Sequence, residues 1–160
     1  MLTHLTPEGN PSMVDVGAKL VTKRTAKARS IVTLGESILS HLDASLNGGD
    51  IQTRKGPVFQ TARIAGTMAA KRTDDLIPLC HSLGLDGCTF DIRTDGSDVI
   101  IECTVSTEGK TGVEMEALVG ASVAALTVYD MCKALSHDIV IRETRLIEKT
   151  GGKRDFRYDG

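Results

Sequence analysis

The chain has 160 residues, a formal net charge of −2 and 41% hydrophobic residues, enough apolar material for one domain, residues 1–160, with a proper core. Aromatic residues make up only 3%, with no Trp, so the core is expected to consist of Val, Ile, Leu and many Ala, with elements approaching closely. A near-neutral chain without an aromatic platform is not a general nucleic-acid binder.

Residues 1–14 show no basic-then-apolar signal pattern and are expected to be loosely ordered, as is the polar tail 152–160. "SIVTL" (30–34) reads as a strand. "GESILSHLDAS" (35–45) reads as a short amphipathic helix with Ile38, Leu39 and Leu42 at helical spacing, ending at the Gly48-Gly49 loop. Pro57 suits the first turn of the next helix, because its missing N–H has no intrahelical partner there. Ala62, Ala65, Gly66 and Ala69 give that helix a small-residue face, and Lys71 and Arg72 close it at the negative end of its dipole. "CTFDIRTDGSDVIIECTVST" alternates about Asp95-Gly96, a hairpin signal.

"TGVEMEALVGASVAALTVYDMCKALS" reads as a helix apolar, hence buried, on most sides. Its most apolar run, "GASVAALTVY", is far short of the ~20 residues of a membrane span. "DIVIRETRLIEKT" reads as the last strand. Strand, helices, hairpin, helix, strand predicts an α+β sandwich of ferredoxin-like β-α-β-β-α-β order, an antiparallel sheet with helices packed on one face.

"TEGKTG" resembles the end of a phosphate-binding P-loop, but Thr104 stands where that loop needs its first glycine. A Gly-rich turn is the better reading. Cysteines 80, 88, 103 and 132 form no CxxC and read as free thiols of a reducing cytoplasm. The Cys80–His81 pair makes a poor metal site or nucleophile dyad, since neighbours in an extended segment point to opposite faces. Core thiol with surface histidine, or the wall of a ligand pocket, both remain open.

Asp130 and Lys133 lie three apart on one helix face, usually a surface ion pair of little worth. Their apolar flanks place them instead in a desolvated setting, where a charged pair needs a partner or a purpose. Glu114 and Glu116, flanking Met115, suit a helix N-terminus by charge alone. Lys55, before Gly56-Pro57, reads as a solvated loop lysine or as part of an anion site at a helix start. From Glu116 to Asp130 the helix runs about 21 Å at ~1.5 Å per residue. If both serve one small ligand, two subunits share the pocket, so an oligomer is expected.

"KGPVFQTARIAGTMAAKRTDDLIPLCHSL" and "GKTGVEMEALVGASVAALTVYDMCKA", with "MVDVGAKLVTKRTAKA" and "LIEKTGGK", closely resemble the cyclic pyranopterin monophosphate synthase family, the C protein of molybdenum cofactor biosynthesis. The resemblance runs from about Met13 to Lys153. It implies a ferredoxin-like fold and a cytoplasmic hexamer assembled as a trimer of dimers. It implies a lyase that rearranges 3′,8-cyclo-7,8-dihydro-GTP to cyclic pyranopterin monophosphate and releases pyrophosphate.

By the same resemblance Asp130 is the active-site acid, with Lys55 and Lys133 as catalytic partners. Leu79, Cys80, His81, Met115 and Glu116 line the substrate, and Asp15, Lys19 and Arg24 close over the triphosphate. Ser82 replaces the family's usual Pro after "LCH". No metal or cofactor is required by these residues, although a triphosphate can bring Mg²⁺. A lysine tuned by its surroundings can move protons near neutrality, and cationic groups can stabilise departing pyrophosphate. The alternatives are a non-catalytic ferredoxin-like module that binds a nucleotide or metabolite, and a zinc-dependent purine-ring hydrolase using Cys80.

Overall fold

Residues 5–46 and 48–160 are described by a computed structural model. In chain order the elements are β1 (Thr22–Thr33), α1 (Glu36–Leu39), β2 (Leu42–Asp43), β3 (Asp50–Thr53), β4 (Gly56–Pro57), α2 (Val58–Ala70), α3 (Thr73–Leu76), β5 (Gly87–Asp95), β6 (Asp98–Gly109), α4 (Glu114–Cys132), β7 (Val140–Thr150) and β8 (Phe156–Arg157).

β1 shows how the sequence makes the sheet. Successive side chains point to opposite faces, so Ala26, Ala28, Ser30 and Val32 turn inward, at most 1% exposed. Lys27, Arg29 and Ile31 take the other face. Antiparallel neighbours follow in the order β5-β6-β1-β7-β8. Counted as four principal strands, β1, β5, β6 and β7 lie second–third–first–fourth. That is the split β-α-β interleaving of the expected ferredoxin-like sandwich. Asp95 pairs with Asp98 across Gly96, whose φ of +56° a β-branched residue would resist.

The two long helices cover one face of this sheet. α4 crosses β1, β6 and β7, while α2 lies beside it over β5. Gly66 of α2 and Gly120 of α4 meet backbone to backbone. A methyl group on Gly66 would come 2.8 Å from the Gly120 carbonyl oxygen. One on Gly120 would come 2.8 Å from Cys103 Sγ. Val32, Ile38, Ile51, Val99, Ile101 and Val128 fill the main core. Ala28, Cys103, Val105, Val113 and Ala117 fill a second cluster beside it. Among the described helices α4 alone is long and apolar enough to cross a membrane, and it packs on the sheet and α2.

Several sequence expectations need correction. β1 starts at Thr22, eight residues before the predicted strand. The helix predicted over 35–45 is one turn, α1, followed by β2. Leu42 belongs to β2 and pairs with Ile51 rather than continuing a helical stripe. Residues 42–57 form a separate three-stranded sheet, β2-β3-β4, that the sequence reading did not anticipate. α4 is less enclosed than predicted, because Leu126 is 57% exposed; Ile64 and Met68 of α2 are likewise open, at 63% and 52%. Within the stretch 1–14, residues 1–4 lie outside the described residues, and Leu5 bridges Pro11. Near the other end β8 pairs with β7.

Candidate active site

Two sites form at opposite ends of α4. At its C-terminal end Asp130 holds two ammonium groups at once. Lys55 Nζ donates to Asp130 Oδ2 at 2.6 Å and to the Asp130 carbonyl oxygen at 3.2 Å. Lys133 Nζ lies 2.7 Å from Oδ1. Lys55 reaches this place from the turn between β3 and β4, and Lys133 caps α4 one turn beyond Asp130. The three line a cavity of about 840 Å³ with His41, Gln52, Arg54, Met131 and Leu135.

The electrostatics follow from the contacts. Hydrogen bonds from Lys133, then Lys55, hold the Asp130 carboxyl down at about 2. The Asp130 hydrogen bond in turn pushes the Lys133 ammonium above its ordinary range. Two sequence expectations change here. All three side chains are about half exposed in the single chain rather than desolvated, because the last turn of α4 faces the open cavity. Lys133 is also held as an ammonium rather than tuned toward neutrality.

At the N-terminal end of α4, Leu79, Cys80, His81, Met115 and Glu116 do come together. They line a cavity of about 380 Å³ with Val14, Val16, Lys19, Thr111 and Gly112. Cys80 and His81 share it because the chain turns there, with the Cys80 N–H donating to the Ile77 carbonyl oxygen at 3.1 Å. The extended-segment argument for opposite faces therefore does not apply. The His81 ring is fixed by a 2.7 Å bond from Nε2 to the Val14 carbonyl oxygen. A carbonyl only accepts, so Nε2 carries a proton, which leaves Nδ1 facing away from this bond. Burial pushes the Cys80 thiol up, with the charges of Glu116 and Asp74 adding to it. A thiol shifted in this direction carries less of the thiolate form that nucleophilic attack uses. Burial likewise raises Glu116, which is 4% exposed.

This cavity continues, through Lys19, Thr111, Gly112 and Glu114, into a second of about 530 Å³ lined by Arg24, Lys149, Gly151, Gly152 and Lys153. Four cationic side chains thus border one trough. Arg24 Nε donates to the Gly109 carbonyl oxygen at 2.8 Å, and Lys149 Nζ to Glu114 Oε1 at 2.8 Å. Gly151, at φ +84°, lets the chain pass against the Lys23 backbone. Asp15 lines neither cavity and instead accepts from the Gly17 N–H at 2.7 Å. Sequence reasoning missed Lys149, Lys153 and His41; for the first two, the Gly-Gly pair between lysines in "KTGGK" is a signal of close backbone approach. Among the described residues no group of three or more His, Cys, Asp and Glu gathers at metal-binding spacing.

Comparison with known proteins shows the family. Residues 13–152 match the MoaC family. The chain is 56% identical to the cyclic pyranopterin monophosphate synthase of Xanthomonas oryzae pv. oryzae, over 97% of this chain and 92% of that protein. It is 52% identical to the molybdenum cofactor biosynthesis bifunctional protein of Synechocystis, over 97% of this chain but 45% of that protein's length. It is 48% identical to molybdenum cofactor biosynthesis protein 1 of Dictyostelium discoideum, of which it spans 26%.

Proposed function

Because the chain belongs to the MoaC family, we propose that it converts 3′,8-cyclo-7,8-dihydro-GTP to cyclic pyranopterin monophosphate and pyrophosphate, in a site shared by two copies. The observation that carries the shared site is the separation of its halves. The Lys55–Asp130–Lys133 cluster and the cationic trough occupy opposite ends of α4, about 21 Å apart at the helical rise. One ligand of nucleotide size touches both only where a second copy brings its own half alongside. The exposed apolar side chains Ile64 and Met68 of α2 and Leu126 of α4 support contact between copies, in a hexamer arranged as a trimer of dimers.

The roles follow from the groups. The trough holds the triphosphate, with Lys19, Arg24, Lys149 and Lys153 facing its oxygens and stabilising the departing pyrophosphate. Leu79, Cys80, His81, Met115 and Glu116 enclose the guanine-derived rings, with His81 Nδ1 free to hydrogen-bond to them. Opening and reclosing the five-membered ring of the purine requires protons moved on and off nitrogen and oxygen. Lys133, kept protonated by Asp130, enters as the acid, and Lys55 supplies the second ammonium. No resident metal is part of this reading; Mg²⁺ can arrive on the triphosphate. The free thiols at 80, 88, 103 and 132 support a cytoplasmic location.

The test is to supply the purified protein with the cyclised dihydro-GTP and follow pyrophosphate and pterin together. Stoichiometric release of both supports the reading. Tight binding without release contradicts it in favour of a metabolite-binding module.

A further inference from the structure

Asp50 is an acidic side chain with no exposed surface, and its hydrogen-bond partners among the described residues are all backbone N–H groups. Oδ1 accepts from Ile51 and Phe59, each at 2.7 Å, and Oδ2 accepts from Gln60 at 3.1 Å. Phe59 and Gln60 are the second and third residues of α2, whose N–H groups have no partner within the helix. A residue at the cap position normally satisfies them through its own side chain. Here that position is Pro57, which makes no side-chain cap bond. The job is done instead from the start of β3, seven residues earlier.

This remote cap ties the two ends of one loop together. Between Asp50 and Phe59 the chain runs out along β3, turns at Arg54 and Lys55, and returns through β4. Lys55 rides at the tip. Thr53 braces the turn by accepting from the Lys55 N–H and donating to the Gly56 carbonyl oxygen, both at 3.2 Å. Gly56 at φ +112° closes it in a conformation other residues resist. The buried Ile51 anchors the base. A local Ser or Asn at position 57 would satisfy α2 without burying a carboxylate, but would leave the Lys55 turn untethered.

We propose that Asp50 is a positioning residue for Lys55, setting where its ammonium meets Asp130 and the substrate. This rests on the reading of Lys55 as an active-site group. Asp50 touches neither Lys55 nor the cavity, so it acts only through the backbone.

The experiment compares four forms of the full chain for pyrophosphate release and thermal unfolding: the parent, Asp50→Asn, Asp50→Asn with Pro57→Ser, and Lys55→Ala. Asp50→Asn loses the acceptor for Gln60, and is expected to lower both the unfolding midpoint and kcat, the latter by about tenfold or more, as for small displacements of a reacting group. Adding Pro57→Ser restores a local cap, so the midpoint is expected to return while kcat stays low. If kcat recovers together with the midpoint, Asp50 is merely structural and the proposal is overturned. It is also overturned if Asp50→Asn turns over normally while Lys55→Ala is dead, an outcome that leaves the site reading intact. Full turnover by Lys55→Ala overturns the site reading itself.

Discussion

Lys55 and Asp130, 75 positions apart in the chain, meet at 2.6 Å, and Lys133 occupies the other oxygen of the same carboxylate. One carboxylate thereby holds two ammonium groups at the edge of one cavity. Half-exposed ion pairs contribute little to folding, so their worth lies in the chemistry. Lys133→Ala is expected to lower kcat by about 10²–10⁴, the range for a removed acid–base group, with the unfolding midpoint unchanged. Steady-state pyrophosphate release and a thermal melt check both halves.

Asp130 also sets the pH range over which Lys133 can donate. Its hydrogen bond raises the Lys133 ammonium and is the largest cause of that shift. An acid loses activity as pH rises through its own pKa. Asp130→Asn removes the cause, so the alkaline fall of kcat/KM should move to lower pH. A pH–rate profile of the two proteins, compared limb by limb, measures this; an unmoved alkaline limb would contradict the assignment of Lys133 as the acid.

Glu116 predicts a stability effect of opposite sense from an ordinary surface carboxylate. Burial raises its pKa in the folded chain, so the folded state binds the proton more tightly than the unfolded state does. Stability tied to that proton is fully present below the unfolded value of about 4.5 and is lost as pH rises through the higher folded value. Glu116→Gln should therefore leave the unfolding midpoint nearly unchanged at pH 4 and raise it relative to the parent at pH 7–8. Paired melts across that range decide the sign.

The contact between α2 and α4 depends on the absence of two side chains. Alanine at Gly66 places a methyl group 2.8 Å from the Gly120 carbonyl oxygen, forcing the helices apart. Overpacking of this kind costs about 1–3 kcal/mol, against a helix-propensity gain of about 1 kcal/mol over glycine. Gly66→Ala is expected to be destabilising on balance in a denaturant titration.

In the trough, Lys149→Ala removes one cation that faces the triphosphate. The expected result is a KM higher by about tenfold, the scale of one charge-assisted hydrogen bond, with kcat changed much less. A loss confined to kcat would place Lys149 elsewhere in the reaction.

The α+β order was legible because the hairpin at Gly96 and the long apolar α4 carry strong local signals. The beginning of β1 was not, because its inward positions are Ala26 and Ala28 and its outward ones are Lys27 and Arg29, a pattern that reads as charged coil. β2, β3 and β4 are two to four residues each and are held by tertiary packing of Ile51 rather than by any periodicity. In the site, Glu114 and Glu116 could be placed at a helix start by their charge, and Asp130–Lys133 could be paired from helical spacing. Lys149 could not, since it meets Glu114 only through the register that sets β7 beside β1. The desolvation expected around Asp130 came from its apolar neighbours in sequence, while its exposure depends on where the last turn of α4 points.

A shared site makes one demand that no single-copy site makes. Lys133→Ala and His81→Ala damage opposite halves, so each protein alone should be inactive. After the two are unfolded together and reassembled, about a quarter of the sites formed by random pairing combine two undamaged halves. The reassembled mixture is predicted to recover pyrophosphate release to roughly that fraction of the parent, by the same pairing statistics. A mixture that forms mixed assemblies yet stays as inactive as its components would contradict the shared site.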